Sequence, residues 1–266
     1  MATTKTLAIV TLAIGQEFSE MGRVTHPLMR KYAKRIGAEF IIIDQSKNIA
    51  EFPTYEKFQM YDLLERYRRV IFLDTDILVL PDAPSLFDLV PPDTFGAANE
   101  EAYSMVSAHK EATQAKLGGI NWVNPYFNSG VMVVSQNQKE LFNPKSSQFN
   151  LWVTSTGKSE HVMSDQPYLN YRLNELAMPM TDLGFRYNHT RVIRETHIRF
   201  NSFFIHYSGP SGHRYGSRLT QMRKDLGIIN SPIHLLLSRK FTHLRWLLDR
   251  ADRDFLIYLK SRRDNG

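Results

Sequence analysis

The chain has 266 residues, 42% hydrophobic and 23% charged, an ordinary globular composition that suits one large α/β domain or two small ones. It contains no cysteine, which excludes disulfides and thiolate zinc sites, so any metal ligand must be Asp, Glu, His or an amide. A net charge of +6 favours an anionic partner, and the excess is uneven: eight basic and four acidic residues fall between 231 and 266.

Lys5 followed by the apolar run 7–14 imitates a short secretory segment. It reads better as the first buried strand of an α/β sheet, because no small-residue cleavage site follows Ile14-Gly15. No apolar run approaches the ~20 residues of a membrane span. A helix is predicted over 24–36, ended by Gly37, and a second strand over 39–43. Thr54 is the candidate cap of a helix over 55–67, and 70–73 is a third strand, with 77–80 extended beyond it. Strand–helix–strand–helix–strand predicts a mostly parallel sheet flanked by helices.

Four prolines between 81 and 92 break up the next segment, and 95–98 is a predicted strand. No period appears over 99–124, and Gly118-Gly119 suggests mobility there. A strand over 131–134 is entered through Phe127-Asn128-Ser129-Gly130, read as a turn. Ser164 is the candidate cap of a helix to Leu176, and 203–207 is a final strand. Phe241, Leu244, Leu248, Ala251, Phe255 and Tyr258 then recur at helical spacing opposite most of the arginines. This predicts a basic amphipathic helical extension over 226–266, following a catalytic domain over 1–225. Its apolar face either packs on that domain or lies on an anionic membrane surface.

The chemistry concentrates at Val70-Ile71-Phe72-Leu73-Asp74-Thr75-Asp76. Ligands of parallel sheets bind at the carboxyl ends of strands, and paired carboxylates there make a hard-metal site that can grip a phosphate. The spacing alone is weak. Asp252-Arg253-Asp254 repeats it inside the C-terminal helix, where a solvated face explains it.

Residues 69–80, RVIFLDTDILVL, resemble the metal-binding segment of family 8 glycosyltransferases. Residues 126–134 (YFNSGVMVV), 164–170 (SDQPYLN) and 206–209 (HYSG) resemble three further segments of that family in the right order, and Lys57 matches a donor-binding lysine. The resemblance covers residues 5–215 and implies the GT-A fold and transfer of a hexose, with retention, from a UDP-sugar, UDP-glucose or UDP-galactose favoured. It implies Asp74, Asp76 and His206 as ligands of Mn²⁺, with Mg²⁺ as the alternative. Donor contacts fall to Thr11, Leu12, Lys57, Asp74, Thr75, Asp76, Asn128, Ser129, Gly130, His206 and Gly209. Asp165 and Gln166 take the catalytic positions. The expected partners are a nucleotide sugar and a glycan or lipid-linked acceptor, not nucleic acid, in a cytoplasmic protein with peripheral membrane contact through 241–263.

Each role has a physical reason. A divalent ion bridging two phosphates neutralises charge on the leaving group. An imidazole among carboxylates moves the preference from Mg²⁺ towards Mn²⁺. Lys57 reads either as a phosphate or sugar contact or as a solvated helix lysine. Asp165 reads either as a site acid or as a residue complementing a helix dipole. Gln166 is a poor nucleophile, which favours front-face attack. The sequence departs from the family after Gly209, where Pro210-Ser211-Gly212-His213-Arg214 replaces the usual diphosphate-binding lysine motif; His213 and Arg214 are the candidate substitutes. The loop 11–18 lacks the usual Asn and places Phe18 near a common Tyr position. Two rival readings are a haloacid-dehalogenase-type phosphatase and a non-catalytic sugar-nucleotide-binding protein. The first expects a small polar residue at position 78, where this chain has Leu.

Overall fold

The computed structural model describes residues 5–156, 165–193, 196–209 and 217–250. β1 (Lys5–Leu12) runs parallel to β2 (Glu39–Ile43) on one side and β3 (Tyr67–Leu73) on the other. Helices on both faces of the sheet explain why Ala8, Ile9 and Val10 have no exposure. α1 (Gln16–Arg35) starts eight residues before the predicted helix, directly after Gly15, whose φ of 89° turns the chain. The predicted helix over 55–67 is a 3₁₀ segment, Pro53–Gln59, running into the α-helix α2 (Met60–Arg66). Thr54 is no cap: Phe52 holds that position, Pro53 opens the segment, and the Thr54 hydroxyl is buried without a partner.

β4 (Ile77–Val79) does not prolong β3. The chain turns at Asp74–Asp76, and β4 joins a second, three-stranded sheet. After the short α3 (Leu86–Leu89) comes β5 (Phe95–Asn99). The segment 99–124, where the sequence shows no period, contains α4 (Ser107–Leu117). That helix buries only Thr113 and Leu117, so its sequence carries no amphipathic period. Gly118, with φ 98°, stops it. β6 (Phe127–Ser135) is longer than predicted, and all nine of its residues are buried. Asn128, Ser129 and Gly130 therefore belong to the strand rather than to a turn before it.

α5 (Ser147–Ser155) and α6 (Asp165–Glu175) follow; the proposed cap Ser164 lies outside the described residues. β7 (Met180–Asp182) completes the large sheet, and β8 (His189–Thr190) and β9 (Phe204–His206) the small one. The large sheet has the order β2-β1-β3-β6-β5-β7, with β6 antiparallel to both neighbours and the other strands sharing one direction. The small sheet has the order β4-β9-β8. α7 (Arg218–Ile229), α8 (Pro232–Lys240) and a helical run over 242–250 close the described chain. The predicted C-terminal extension is thus several helices rather than one, and Phe241, the first position of the stripe, falls between two of them; its positions beyond 250 lie outside the described residues.

Strand alternation splits the core in two. Ile9, Ile71 and Val133 face α1 and the small sheet. Val10, Phe72 and Met132 face α2, α5 and α6, where Phe58, Phe149, Trp152 and Tyr168 pack together. The C-terminal helices are tied to this body by charge. Arg199 Nε and Nη2 donate to the two Asp225 oxygens at 2.7 and 2.9 Å, Tyr207 Oη donates to Asp225 at 2.7 Å, and Arg199 Nη1 reaches Asp249 at 2.7 Å. Asp225 is wholly buried. Asp225→Ala leaves the buried guanidinium to Asp249 and the Tyr207 hydroxyl without its acceptor, and should cost about 3–5 kcal/mol in urea unfolding; a loss under about 1 kcal/mol would show that solvent reaches the pair.

Burial, then Arg199, pushes His189 down from 6.5 to about 4. The unfolded chain therefore takes up a proton that the folded chain refuses. Stability contributed by this histidine is complete above pH 6.5 and falls as the pH drops from 6.5 towards 4. Urea midpoints across that range should decline in the parent chain and decline less in His189→Gln.

Candidate active site

The site forms where the two sheets part. β3 ends at Leu73, Asp74 N–H donates to Gly130 O at 2.8 Å, and Ile77 N–H donates to Asp74 O at 3.2 Å. The resulting turn delivers both carboxylates to one cavity. α1 clamps it from behind: Thr25 Oγ1 donates to Thr75 O at 2.7 Å, and His26 Nε2 lies 3.0 Å from Thr75 Oγ1. Burial, then Arg30, lowers His26 to about 4, so this clamp is a neutral imidazole at pH 7.

Asp74, Asp76 and His206 each present a ligand atom, all within 4.8 Å of one another. His206 Nε2 lies 3.2 Å from Asp76 Oδ1 and 3.7 Å from Asp74 Oδ2. Burial opposes the imidazolium, but Asp76 and then Asp74 outweigh it and raise the His206 pKa. Burial raises Asp74; on Asp76 the nearby His206 overcomes burial and lowers it. Gly130 has no alternative here, because a Cβ would stand 2.3 Å from His206 Cε1. The space beside this glycine is thus filled by the imidazole.

Lys57 comes from the 3₁₀ segment before α2 and is 3% exposed, which removes the solvated-lysine reading. Its Nζ donates to Asp165 Oδ2 at 2.6 Å and to Ser129 O and Oγ at 3.2 Å, and lies 3.5 Å from Asp74 Oδ1. Burial works against the ammonium, but Asp165 and Asp74 outweigh it and raise its pKa. Asp165 opens α6, and its carboxylate also accepts from Ser129 Oγ at 3.0 Å. Gln166 Oε1 accepts from Ser129 N–H at 3.0 Å, and its Nε2 donates to Glu100 at 2.7 Å.

These groups line a cavity of about 610 Å³. Leu12, Lys57, Asp74, Thr75, Asp76 and Asn128 line it, as do Ser129, Asp165, Gln166, His206 and Gly209. Thr11 and Gly130 do not; the Thr11 side chain is fully buried, its hydroxyl without a partner. His213 and Arg214 lie outside the described residues. A cation nonetheless reaches the carboxylates from that part of the chain: Arg218 Nη1 lies 3.3 Å from Asp76 Oδ2, and its Nη2 is 2.8 Å from Glu17.

Sequence reasoning missed Glu100, Asn188 and Arg218. Glu100 follows the end of β5, so the strand-end rule that singled out Asp74 would have found it. Its aim depends on a register shift between Ala97 and Ala98, which re-directs the strand end towards Asn128. Asn188 sits between short elements and carries no pattern at all.

The model of the family described as glycosyl transferase family 8 matches residues 16–211. No curated protein matches the chain. Among solved structures, the chain is similar to the galactosyltransferase LgtC in complex with donor and acceptor sugar analogues. The TM-score is 0.56 at 16% identity, over 83% of this chain and 95% of that one. It is also similar to a glycosyltransferase involved in glycosylation of the major capsid of PBCV-1, with a TM-score of 0.51 at 14% identity, over 82% and 99% of the two chains. For the bifunctional glycosyltransferase WbbM the TM-score is 0.50 at 14% identity, over 92% of this chain and 52% of that one. At such identities the likeness shows the fold, which is GT-A.

Gly130→Ala should therefore drive His206 off the two aspartates while the strand survives. The expected outcome is a stability loss of about 1–3 kcal/mol together with a displaced His206 NMR signal. An unmoved signal would show that the imidazole does not depend on this glycine.

Proposed function

The chain belongs to glycosyl transferase family 8, and on that premise we propose that it moves a hexose from UDP-glucose or UDP-galactose to a glycan or other hydroxyl acceptor with retention of configuration. The observation that carries this reading is the placing of Asp74, Asp76 and His206 in one cavity with Lys57, Asp165 and Gln166. A volume of about 610 Å³ suits a ligand of nucleotide-sugar size.

The residues fit a divalent ion. Two strand-end carboxylates and an imidazole converge within 4.8 Å, and the remaining imidazole nitrogen is held by Asn188 at 2.8 Å. Mixed oxygen and nitrogen ligands favour Mn²⁺ over Mg²⁺. When bound, the ion supplies Lewis-acid neutralisation of the charge that builds on the departing diphosphate. Arg218 adds a fixed positive charge beside Asp76, in place of the family's usual lysine after Gly209.

Lys57 Nζ and Ser129 Oγ hold one oxygen of the Asp165 carboxylate at the cavity wall. With one oxygen taken by Lys57 and Ser129, Asp165 is poorly disposed to attack a sugar. Gln166 is an amide, fixed at both ends. Front-face attack follows. The anomeric carbon–oxygen bond breaks, with its electron pair passing to the β-phosphate. The acceptor oxygen bonds to the same face of the sugar, and its proton passes to the departing phosphate oxygen. Asp165 and Gln166 stabilise the positive charge that develops at the anomeric carbon.

Ile233, Leu236 and Leu244 are 70%, 63% and 54% exposed, in the same stretch as Lys240 and Arg250. This supports peripheral contact with an anionic membrane face, which would favour a lipid-linked acceptor. No helix among the described residues is long and apolar enough to cross a membrane. The family match over residues 16–211 speaks against the phosphatase alternative.

Calorimetry with UDP-glucose and UDP-galactose should show binding strengthened by Mn²⁺. Asp76→Asn should remove most of that metal-dependent gain; unchanged affinity would sink the assignment of Asp76 as a ligand. Gln166→Ala should lower kcat by about 10²–10³-fold with a smaller change in KM, because its contact matures in the transition state. A raised KM with unchanged kcat would place Gln166 in ground-state binding.

A further inference from the structure

Four hydrogen bonds join the imidazole of His206 to the amide of Gln166. His206 Nδ1 lies 2.8 Å from Asn188 Oδ1, and Asn188 Nδ2 lies 2.8 Å from Asn128 Oδ1. Asn128 Nδ2 lies 3.3 Å from Glu100 Oε2, which Gln166 Nε2 also approaches at 2.7 Å. An amide can be turned end for end, and a neutral imidazole carries its proton on either nitrogen. Distances alone therefore leave the direction of such a chain open.

The backbone closes it. Gly130 N–H can only donate, and it points at Asn128 Oδ1 from 3.0 Å. The Glu100 carboxylate can only accept, and it faces Asn128 Nδ2. Asn128 is thereby fixed with its oxygen towards Asn188. Asn188 must turn its NH₂ to Asn128 and its oxygen to His206. An amide oxygen only accepts, so His206 Nδ1 carries a proton, and Nε2 is the nitrogen that faces Asp76 and Asp74 at 3.2 and 3.7 Å, where a bound cation would take the place of any proton it carries.

We infer that Asn188 is a positioning residue for His206: it relays the orientation of Asn128 to the imidazole and holds the Nδ1–H tautomer, whose Nε2 is free for a divalent cation. Asn188 is wholly buried and lies outside the cavity lining, so it acts through the two side chains it holds, His206 and Asn128. The inference rests on the metal reading proposed above. It differs from a packing role in one respect: packing is indifferent to which nitrogen carries the proton.

Long-range ¹H–¹⁵N NMR of the full metal-free chain, at a pH where the imidazole is neutral, reads the tautomer directly. The parent protein should show Nδ1–H. Asn188→Ala should shift His206 towards Nε2–H and weaken Mn²⁺ binding by about 10–100-fold in calorimetry. Asn188→Asp gives up the donor to Asn128 but keeps an acceptor on Nδ1–H, and should retain both the tautomer and most of the affinity. A parent His206 protonated on Nε2 would overturn the inference, as would Asn188→Ala with unchanged tautomer and unchanged Mn²⁺ affinity. If Asn188→Ala does not fold, the parent signal and Asn188→Asp still decide. A parent Nδ1–H signal without any Mn²⁺ binding would support the tautomer assignment and sink the metal reading, so the two failures are distinguishable.

Discussion

An ammonium group buried from water must be paired, and the contact of Lys57 with Asp165 at 2.6 Å is where that requirement ties fold to site. Lys57 lies on the segment before α2, Asp165 opens α6, Ser129 belongs to β6, and Asp74 ends β3. One side chain therefore holds four elements in register around the cavity. The same pairing occupies one oxygen of Asp165, so a structural constraint supports the proposed front-face route. Where Lys57 gathers the acids, the small sheet brings His206 to them from the opposite side, and Gly130 leaves it room.

The polar groups of this cavity differ from a solvated cluster in that their directions are set. Backbone N–H groups of Ser129 and Gly130, adjacent on β6, hold the oxygens of Gln166 and Asn128 respectively. Glu100 receives the nitrogens of both amides. Neither amide can turn without leaving a buried donor unsatisfied, which costs about 1–3 kcal/mol. The Gln166 amide and the Asn128 amide on the His206 side are thus oriented by one carboxylate and two consecutive peptide units, the fixed directions that the proposed electrostatic stabilisation needs.

Much of this was legible in the chain. The parallel half of the sheet follows from continuous apolar runs, and the strand over 39–43 has the bounds the sequence suggests. Asp74, Asp76 and Lys57 were legible because strand-end acids and a matching family segment point to them. α1 starts at Gln16, where Phe18 and Met21 extend the apolar spacing of Val24 and Leu28 onto the core, a period readable one turn and a half before the predicted start. What was not legible depends on contacts distant in sequence. α4 was hidden because it buries so little. Strand 127–135 was underestimated because Asn128, Ser129 and Gly130 look like a turn until His206 and Asp165 are set against them. Asn188 has meaning only through partners 60 and 18 residues away.

The central claim is that Asp74, Asp76 and His206 serve the departure of a nucleoside diphosphate from a sugar. ³¹P NMR of UDP-glucose and UDP-galactose incubated with the full chain measures that departure directly. With Mn²⁺ present, one of the two donors should be converted to UDP; with the ion removed by chelation, conversion should stop. Conversion that proceeds equally without a divalent ion, or a complete failure to release UDP from any UDP-hexose in the presence of Mn²⁺, would contradict it.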